Sequence, residues 1–452
     1  MEEINLVALC KAVGGELVNV RNDTLAPIGV SIDTRDNLNG KIFIPLKGEK
    51  TDGHNYLSHA FKSGAIFSIS EVSGDFPHIK VNSTYSAIKD FAKYYKSLFN
   101  IPTIGITGSV GKTTTKDLTA SIVSQGFKTL KTQGNFNNEI GLPLTIFNID
   151  NSTHACVLEM GMNNLKEIHN LANIARPTIA LITNIGVSHI ENLGSRENIL
   201  KAKLEILDFN PKEVILDGDN DMLATLKDKI NGRYYYLNDP LKDYTAYNII
   251  HNGLINTSAT IKILNEEFRI TIPIPGDYMV RNALAGAIIG KIMGLSNEQI
   301  KLGIETFKPS KNRMDIKKIS DLTIINDTYN ASPQSMKAML DLLSSQKGKK
   351  VAILGDMFEL GDFAEGLHIE VGEYYQVKNL DYIISIGELA KNIYIGAKKY
   401  ENNGVKNFYF KSKDQFFSSN LITEFGTDTI LVKASRGMYF EEIIDHIESI
   451  FN

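Results

Sequence analysis

The run ITGSVGKTTTK, Ile106 to Lys116, carries residue types suited to holding a nucleotide phosphate. A glycine-rich turn follows a short apolar strand and opens a helical stretch, KTTTKDLTASIVSQ, which ends at Gly126. In such a loop the backbone N–H groups and the helix N-terminus cradle phosphate oxygens. Lys112 would set a point charge against the β- and γ-phosphates, and Thr113 would offer its hydroxyl to Mg²⁺. The spacing nevertheless departs from G-x-x-x-x-G-K-S/T, because Ile106 stands where the first glycine belongs and the nearer glycine is Gly108. The nucleotide candidates here are Gly108, Ser109, Val110, Gly111, Lys112, Thr113 and Thr114.

Other chemistry-bearing residues sit just past apolar runs. Glu159, in VLEMG, is an acid at a strand end, where it could hold Mg²⁺ near the loop; a surface acid capping a strand would look the same. His189, in TNIGVSHIEN, follows the next run, although a lone histidine is more often structural than a ligand. Lys203, in ILKAKLEI, reads from spacing alone as an exposed helix lysine. Asp217, Asp219 and Asp221 have the spacing that starts a calcium-binding loop, but Met222 occupies the position that needs the turn glycine. An Asp-rich turn after VIL is the better reading.

The elements that must position these residues alternate. TIGIT, ACVLEMG, TIALITNIG and VILDGD are short, β-branched-rich runs ending in Gly, Asn or Asp, with helical patterns between most of them. That grammar indicates a parallel sheet with helical crossovers, in which ligands sit beyond the carboxyl ends of the strands. LTIIND, KVAILGD, DYIISIG, NFYF and TILVKAS repeat it near the end of the chain. YSAIKDFAKYYKSLFN puts Ile88, Phe91, Ala92, Tyr95, Leu98 and Phe99 on one helical stripe, with Ser83 or Thr84 as N-cap, and Pro102 follows. A boundary near Asn100 and a second near Lys308, ahead of Pro309, divide the chain into 1–100, 101–308 and 309–452. A length of 452 residues fits three domains at roughly 150 residues each. With 43% hydrophobic and 22% charged residues the chain reads as soluble and globular, and its net charge of −4 argues against nucleic acid as a partner. Cys10 and Cys156 are too few for a disulfide framework or a zinc site. No stretch of about 18 apolar residues suggests a membrane span, and MEEINLVALCKAVGG is no secretory signal, so a cytoplasmic protein is expected.

TGSVGKTTTK, GNFNNEIGLP, EMGMNN, TNIGVSHIENLGS, AKLEI, VRNA, NRMD and INDTYNASPQSM occur in the order found in the Mur ligases, the ATP-dependent amide-forming enzymes of peptidoglycan synthesis, and the resemblance covers essentially the whole chain. The family's loop reads T-G-S/T-x-G-K-T, so Ile106 belongs to its normal variant. NDTYNASPQSM, LGDMFELG and KASRGM resemble the member that adds D-alanyl-D-alanine to UDP-N-acetylmuramoyl-tripeptide. The resemblance implies a small α/β UDP-sugar-binding domain, a central phosphate-loop ATPase-type parallel sheet with helices, and a C-terminal Rossmann-like α/β domain. A monomer is expected.

What the resemblance implies for the site is specific. Lys112 would neutralise the γ-phosphate, Thr113 and Glu159 would hold one Mg²⁺, and His189 would approach a second. Lys203 matches a lysine that is carbamylated in related Mur ligases, where the new carboxylate helps position the metal. Asn282 would read adenine, and Arg313 and Asp327 would meet the phosphates and ribose. Ser31, Thr34, Arg35, Lys47, Asp52, Gly53 and His54 are candidates for the UDP-sugar. Asn137 and Asn138 would lie near the junction of the two substrates, and Tyr329 and Asn330 near the incoming dipeptide. The chain departs from the family pattern at Asn312 and Ala434, each in place of glycine, and in lacking a histidine in GDYMVRNA. The rival readings are another amide ligase of the family, such as the tripeptide-forming enzyme, and a phosphate-loop nucleotide switch.

Overall fold

Helix Thr84–Ser97 forms as its apolar spacing dictates. The Ser83 hydroxyl accepts from the Ser86 N–H at its start, and Ile88, Phe91, Ala92 and Tyr95 are buried along one face. Each large apolar side chain taken from water contributes roughly 1.5–3 kcal/mol, enough to fix the helix although its propensity alone would not. Leu98, expected on the same stripe, lies past the last turn and is 47% exposed. Phe99 still reaches back, meeting Tyr95 edge-on.

These coordinates come from a computed structural model that describes residues 1–310, 312–426 and 428–451. The chain separates into two compact units, one of Met1–Thr107, Gly126–Leu181 and Ala202–Val214, the other of Gly108–Gln125, Ile182–Lys201 and Ile215–Asn452. The first unit opens with a five-stranded sheet in the order Glu16–Val18, His78–Lys80, Phe67–Ser70, Lys41–Phe43, Gly29–Ser31, parallel except for the first pair. Leu38, Phe43, Leu57, Ala60 and Ala65 form a core beside it. Farther along, strand Thr103–Thr107 runs parallel to Ala155–Glu159, and the latter to Thr129–Lys131. Both Thr103–Thr107 and Ala155–Glu159 are buried at every position, which is why they read as unbroken apolar runs rather than alternating ones.

The second unit departs from the expected parallel grammar most plainly at 244–272. Strands Tyr244–Asn252, Asn256–Ile263 and Glu266–Ile272 are antiparallel hairpins rather than members of a parallel crossover series. Asn256–Ile263 alternates strictly between half-buried and buried residues, the mark of a sheet with one wetter face. Asn252–Gly253 is the turn signal that joins the first pair. The final sheet runs Asp315–Ile319, Leu322–Asp327, Thr429–Lys433, Lys350–Gly355, Tyr382–Ile386, Lys406–Phe410, parallel except for its first pair. All the strands read from the sequence in this segment are present. The last in the chain, Thr429–Lys433, inserts between Leu322–Asp327 and Lys350–Gly355, so the polar residues at those strand ends converge. Among the described residues no helix is long and apolar enough to cross a membrane.

Candidate active site

The loop after Thr103–Thr107 is held by the residues that follow Ile179–Ile182. Gly108 has φ +149°, and a Cβ there would fall 1.9 Å from Thr183 Oγ1, so no side chain fits. Gly111, at φ +85°, turns the chain into helix Lys112–Val123. Glycine is therefore required at 108 and 111, and Ile106 can be an ordinary buried strand residue. Ser109 N–H donates to Asn184 O at 3.0 Å and Val110 N–H to Asn184 Oδ1 at 3.0 Å. In return Thr183 Oγ1 and Asn184 Nδ2 donate to Val110 O, and Gly186 N–H to Ser109 Oγ. Asn184 thus occupies the Ser109 and Val110 amides, and the amides suited to an anion are those at the helix start. There the first N–H groups have no preceding turn to bond, and the helix dipole favours negative charge.

Lys112 Nζ curls over this turn, donating to Gly108 O at 2.9 Å and Ser109 O at 3.3 Å. Thr113, next in the helix, is buried. Asn282 lies in helix Asp277–Ile292, its Oδ1 about 3.5 Å from where a Gly111 Cβ would stand. Its neighbour Arg281 fixes that helix end by pairing with Asp217 (3.1 Å) and Asp219 (2.8 Å). Asp221 pairs with Arg196. The Asp-rich turn is therefore neutralised by arginines rather than shaped for calcium, and burial lifts the Asp217 carboxyl to about 6 even beside Arg281.

In the first unit Glu159 ends its strand almost fully buried, at 2% exposure. Asn137 Nδ2 donates to Glu159 Oε1 at 2.8 Å, while Glu159 Oε2 is buried with no hydrogen-bond partner. An unmatched carboxylate oxygen costs a few kcal/mol, which a bound cation would remove, so the residue fits a Mg²⁺ ligand. Among the described residues no three of His, Cys, Asp and Glu cluster as a metal site; the set expected here contains only Glu159 and His189 of those types. Lys203 is not the exposed helix lysine its spacing suggested: it is 1% exposed. Asn138 serves the backbone, its Oδ1 accepting from Ile140 and Gly141 N–H at the start of helix Gly141–Ile146.

The sugar candidates largely bond one another. Ser31 is buried, with its hydroxyl on Asp36 Oδ2 and Asp33 O, and exposed Arg35 grips Asp33, holding that carboxyl down at about 2. Asp52 accepts from the N–H and ring Nδ1 of His54, whose Nε2 accepts from Glu71 N–H. Those bonds set the His54 tautomer and hold the turn. Gly53 is wedged against Leu46, leaving no room for a Cβ. Lys47 is exposed across a bridge from Asp52, and Thr34 is half-buried.

At the final sheet Arg313 lies over the Tyr329 ring, 3.9 Å from its centroid. Asp327 receives Lys433 Nζ at 2.5 Å, and the same ammonium donates to Asn330 O at 2.7 Å. Lys433, 2% exposed at its side chain, is a residue the sequence reading passed over. Its signal in the sequence is its place at the end of the apolar run TILVK. Asn312, which replaces the family glycine, has φ +59°, a conformation asparagine tolerates better than other side chains. Asn312→Ala should therefore be less stable than Asn312→Gly by about 1 kcal/mol, seen as a lower thermal midpoint. Equal midpoints for the two variants would contradict this.

A strand, a glycine-strict phosphate loop, a buried metal-seeking carboxylate and a second nucleotide-type sheet define an ATP-using α/β enzyme. The Mur ligase middle domain matches residues 106–290, and the Mur ligase glutamate ligase domain matches 312–436. The chain belongs to the Mur ligase family. It is 38% identical, over 98% of both chains, to UDP-N-acetylmuramoyl-tripeptide–D-alanyl-D-alanine ligase from Bacillus subtilis, and 31% identical, again over 98% of both, to the Escherichia coli enzyme of that name. A crystal structure of MurF from Acinetobacter baumannii superposes with a TM-score of 0.90 at 26% identity, covering 99% of each chain. MurF ligase from Thermotoga maritima in complex with ADP gives 0.80 at 25% identity, covering 93% of this chain and 97% of that one.

Proposed function

We propose that this protein joins D-alanyl-D-alanine to UDP-N-acetylmuramoyl-tripeptide at the expense of ATP, in the cytoplasm and as a monomer. The observation that carries the reading is the 38% identity, over nearly the whole of both chains, to a relative bearing that activity in its name. Residues 1–100 take the UDP-sugar, 101–308 the ATP, and 309–452 the nucleotide's far side and the dipeptide.

The terminal carboxylate of the tripeptide attacks the γ-phosphorus, ADP leaves, and an acyl phosphate results. The dipeptide amine then attacks the acyl carbon, and inorganic phosphate departs from the tetrahedral intermediate as the amine loses a proton. Two anions must meet in the first step, so the protein's work is charge neutralisation and alignment. Lys112 supplies a fixed positive charge at the loop mouth, and Arg313 a second, pre-oriented on Tyr329. Asn282, whose Oδ1 stands about 3.5 Å from where a Gly111 Cβ would be, is the residue assigned to adenine. Mg²⁺, when bound, neutralises phosphate charge; Thr113, Glu159, His189 and a carbamylated Lys203 are the residues assigned to it.

The test is stoichiometric. Phosphate release should require both UDP-sugar tripeptide and D-alanyl-D-alanine, with the pentapeptide product seen by mass spectrometry. Release with ATP alone would point to a switch, and release with a single amino acid in place of the dipeptide to the tripeptide-forming reaction. Arg313→Ala should raise the KM for ATP or lower kcat at least tenfold without moving UDP-sugar affinity, because its guanidinium acts on the phosphates. Asp327 is better tested as Asn, which keeps an acceptor oxygen for buried Lys433 that Ala would remove. Unchanged ATP kinetics in both variants would remove the final sheet from the nucleotide site.

A further inference from the structure

The loop that carries Asn137 has little apolar support of its own. Between Thr132 and Gly141 no residue is buried, and Phe136 is 47% exposed. Polar contacts set its place instead. Asn137 Nδ2 donates to Glu159 Oε1 at 2.8 Å, and Gly161 N–H donates to Asn137 O at 2.9 Å. A Cβ on Gly161 would stand 3.0 Å from the Asn137 amide, so that side chain lies close over the end of the strand. Asn138 Oδ1 bonds only within the segment, to Ile140 and Gly141 N–H. The next residue, Glu139 of GNFNNEIGLP, reaches outside both loop and strand. Its Oε2 accepts the Tyr85 hydroxyl at 2.8 Å and the Lys89 ammonium at 3.2 Å, and its Oε1 accepts Asn170 Nδ2. Tyr85 and Lys89 stand one turn apart on helix Thr84–Ser97, with Lys89 Nζ 4.5 Å from the Tyr85 ring centroid, and Asn170 belongs to helix Glu167–Ala175. All of these residues lie in the first compact unit. Burial pushes the Glu139 carboxyl up, but the bonds from Asn170 and Tyr85 and the Lys89 charge outweigh it and hold the group below its ordinary range, as a charged acceptor.

The geometry points to Glu139 as a positioning residue for the ligase reaction: by tying the 133–140 loop to two helices it holds Asn137 on Glu159 Oε1, so that Oε2 is the oxygen left for a cation. A loop without buried side chains opens locally at little cost, so a tether two residues away governs how often Asn137 leaves Glu159. When it leaves, Glu159 loses a donor and its carboxylate is freer to turn, and carboxylates that hold metals are themselves held by hydrogen bonds. The catalytic consequence rests on the proposed function, whereas the tether does not.

The experiment is amide hydrogen exchange on the full-length protein with neither substrate nor metal, read at Gly161 by NMR, with kinetics alongside. Glu139→Ala should speed exchange at Gly161 about tenfold or more, while the amides inside strand Ala155–Glu159 keep their protection. It should lower kcat about tenfold, the lower end for partners standing behind a metal ligand, and raise the Mg²⁺ concentration for half-maximal rate, with the KM for D-alanyl-D-alanine within about twofold. Tyr85→Phe combined with Lys89→Met removes two of the donors and leaves the loop sequence intact. That variant should show the same pattern in weaker form, and it carries the test if Glu139→Ala does not fold. Glu139→Gln, which keeps an acceptor oxygen, should recover most of kcat. Unchanged Gly161 protection in the folded variants overturns the inference, and so does faster Gly161 exchange with kcat unmoved. Exchange that rises evenly along the whole strand would mark a stability contact only and overturn it as well. Because the exchange measurement needs no substrate, a protein that failed to make the pentapeptide would refute the proposed function and leave the tether open to this test.

Discussion

Lys112→Ala should abolish amide formation while leaving UDP-sugar affinity within about twofold of wild type. Its ammonium is held over the loop by Gly108 O and Ser109 O, so the charge is in place before any anion arrives. Pre-placed charge is the form of stabilisation that acts on a transition state without reorganisation. It is needed most when the tripeptide carboxylate and the γ-phosphate, both anionic, come within bonding distance. Removing one such charge costs about 3–4 kcal/mol, or 10²–10³ in rate, and losing the alignment it provides adds to that. The effect should fall on kcat, since the interaction strengthens during the reaction, whereas the sugar candidates belong to the first unit. The variant should fold, because Gly108 and Gly111 keep their conformations and Thr183 and Asn184 brace the loop without help from residue 112. Activity within about tenfold of wild type would defeat the assignment.

Much of this site was legible in the sequence because its residues stand at strand ends, and parallel strands announce themselves. Thr103–Thr107 and Ala155–Glu159 are buried on both faces, so their sequences are apolar throughout and the first polar residue beyond each is conspicuous. The antiparallel hairpins of 244–272 were not legible on that pattern; their signals were the Asn252–Gly253 turn and a period of two. Pairings across long stretches of chain were out of reach altogether. Nothing local to Glu359 names His189, and nothing local to Lys433 names Asp327; each meeting follows from sheet order and loop course. The sugar candidates show the opposite limit. Ser31, Asp52 and His54 are candidates through the family resemblance alone, yet much of their hydrogen-bonding capacity is spent within the fold. Those bonds shape the loops they sit in, and of the proposed sugar contacts Arg35 and Lys47 are the ones left exposed.

Burial changes what Lys203 should do. A lysine on a solvated helix face could be replaced by alanine with little effect. At 1% exposure Lys203 is instead held inside the fold, where its side chain has a fixed place, and CO₂ would add to its neutral amine. Addition forms an N–C bond, releases the amine proton and leaves a carbamate, an anion able to hold Mg²⁺ or its water shell. Lys203→Ala should therefore lose most activity, and formate or acetate should restore part of it by supplying the missing carboxylate. Some stability will be lost with the buried side-chain stem, on the order of 1–3 kcal/mol, but the helix favours alanine and the fold should survive. The modification has its own readout: wild type incubated with ¹³C-bicarbonate should show a carbamate resonance that Lys203→Ala lacks, with no nucleotide or substrate present. Denaturing mass spectrometry would miss it, because the carbamate is lost on unfolding. Full activity in Lys203→Ala would sink the idea. An inactive variant that no carboxylate rescues, together with a wild type silent in the ¹³C spectrum, would reduce Lys203 to a positioning lysine whose charge, not its carboxylated form, is what the reaction needs.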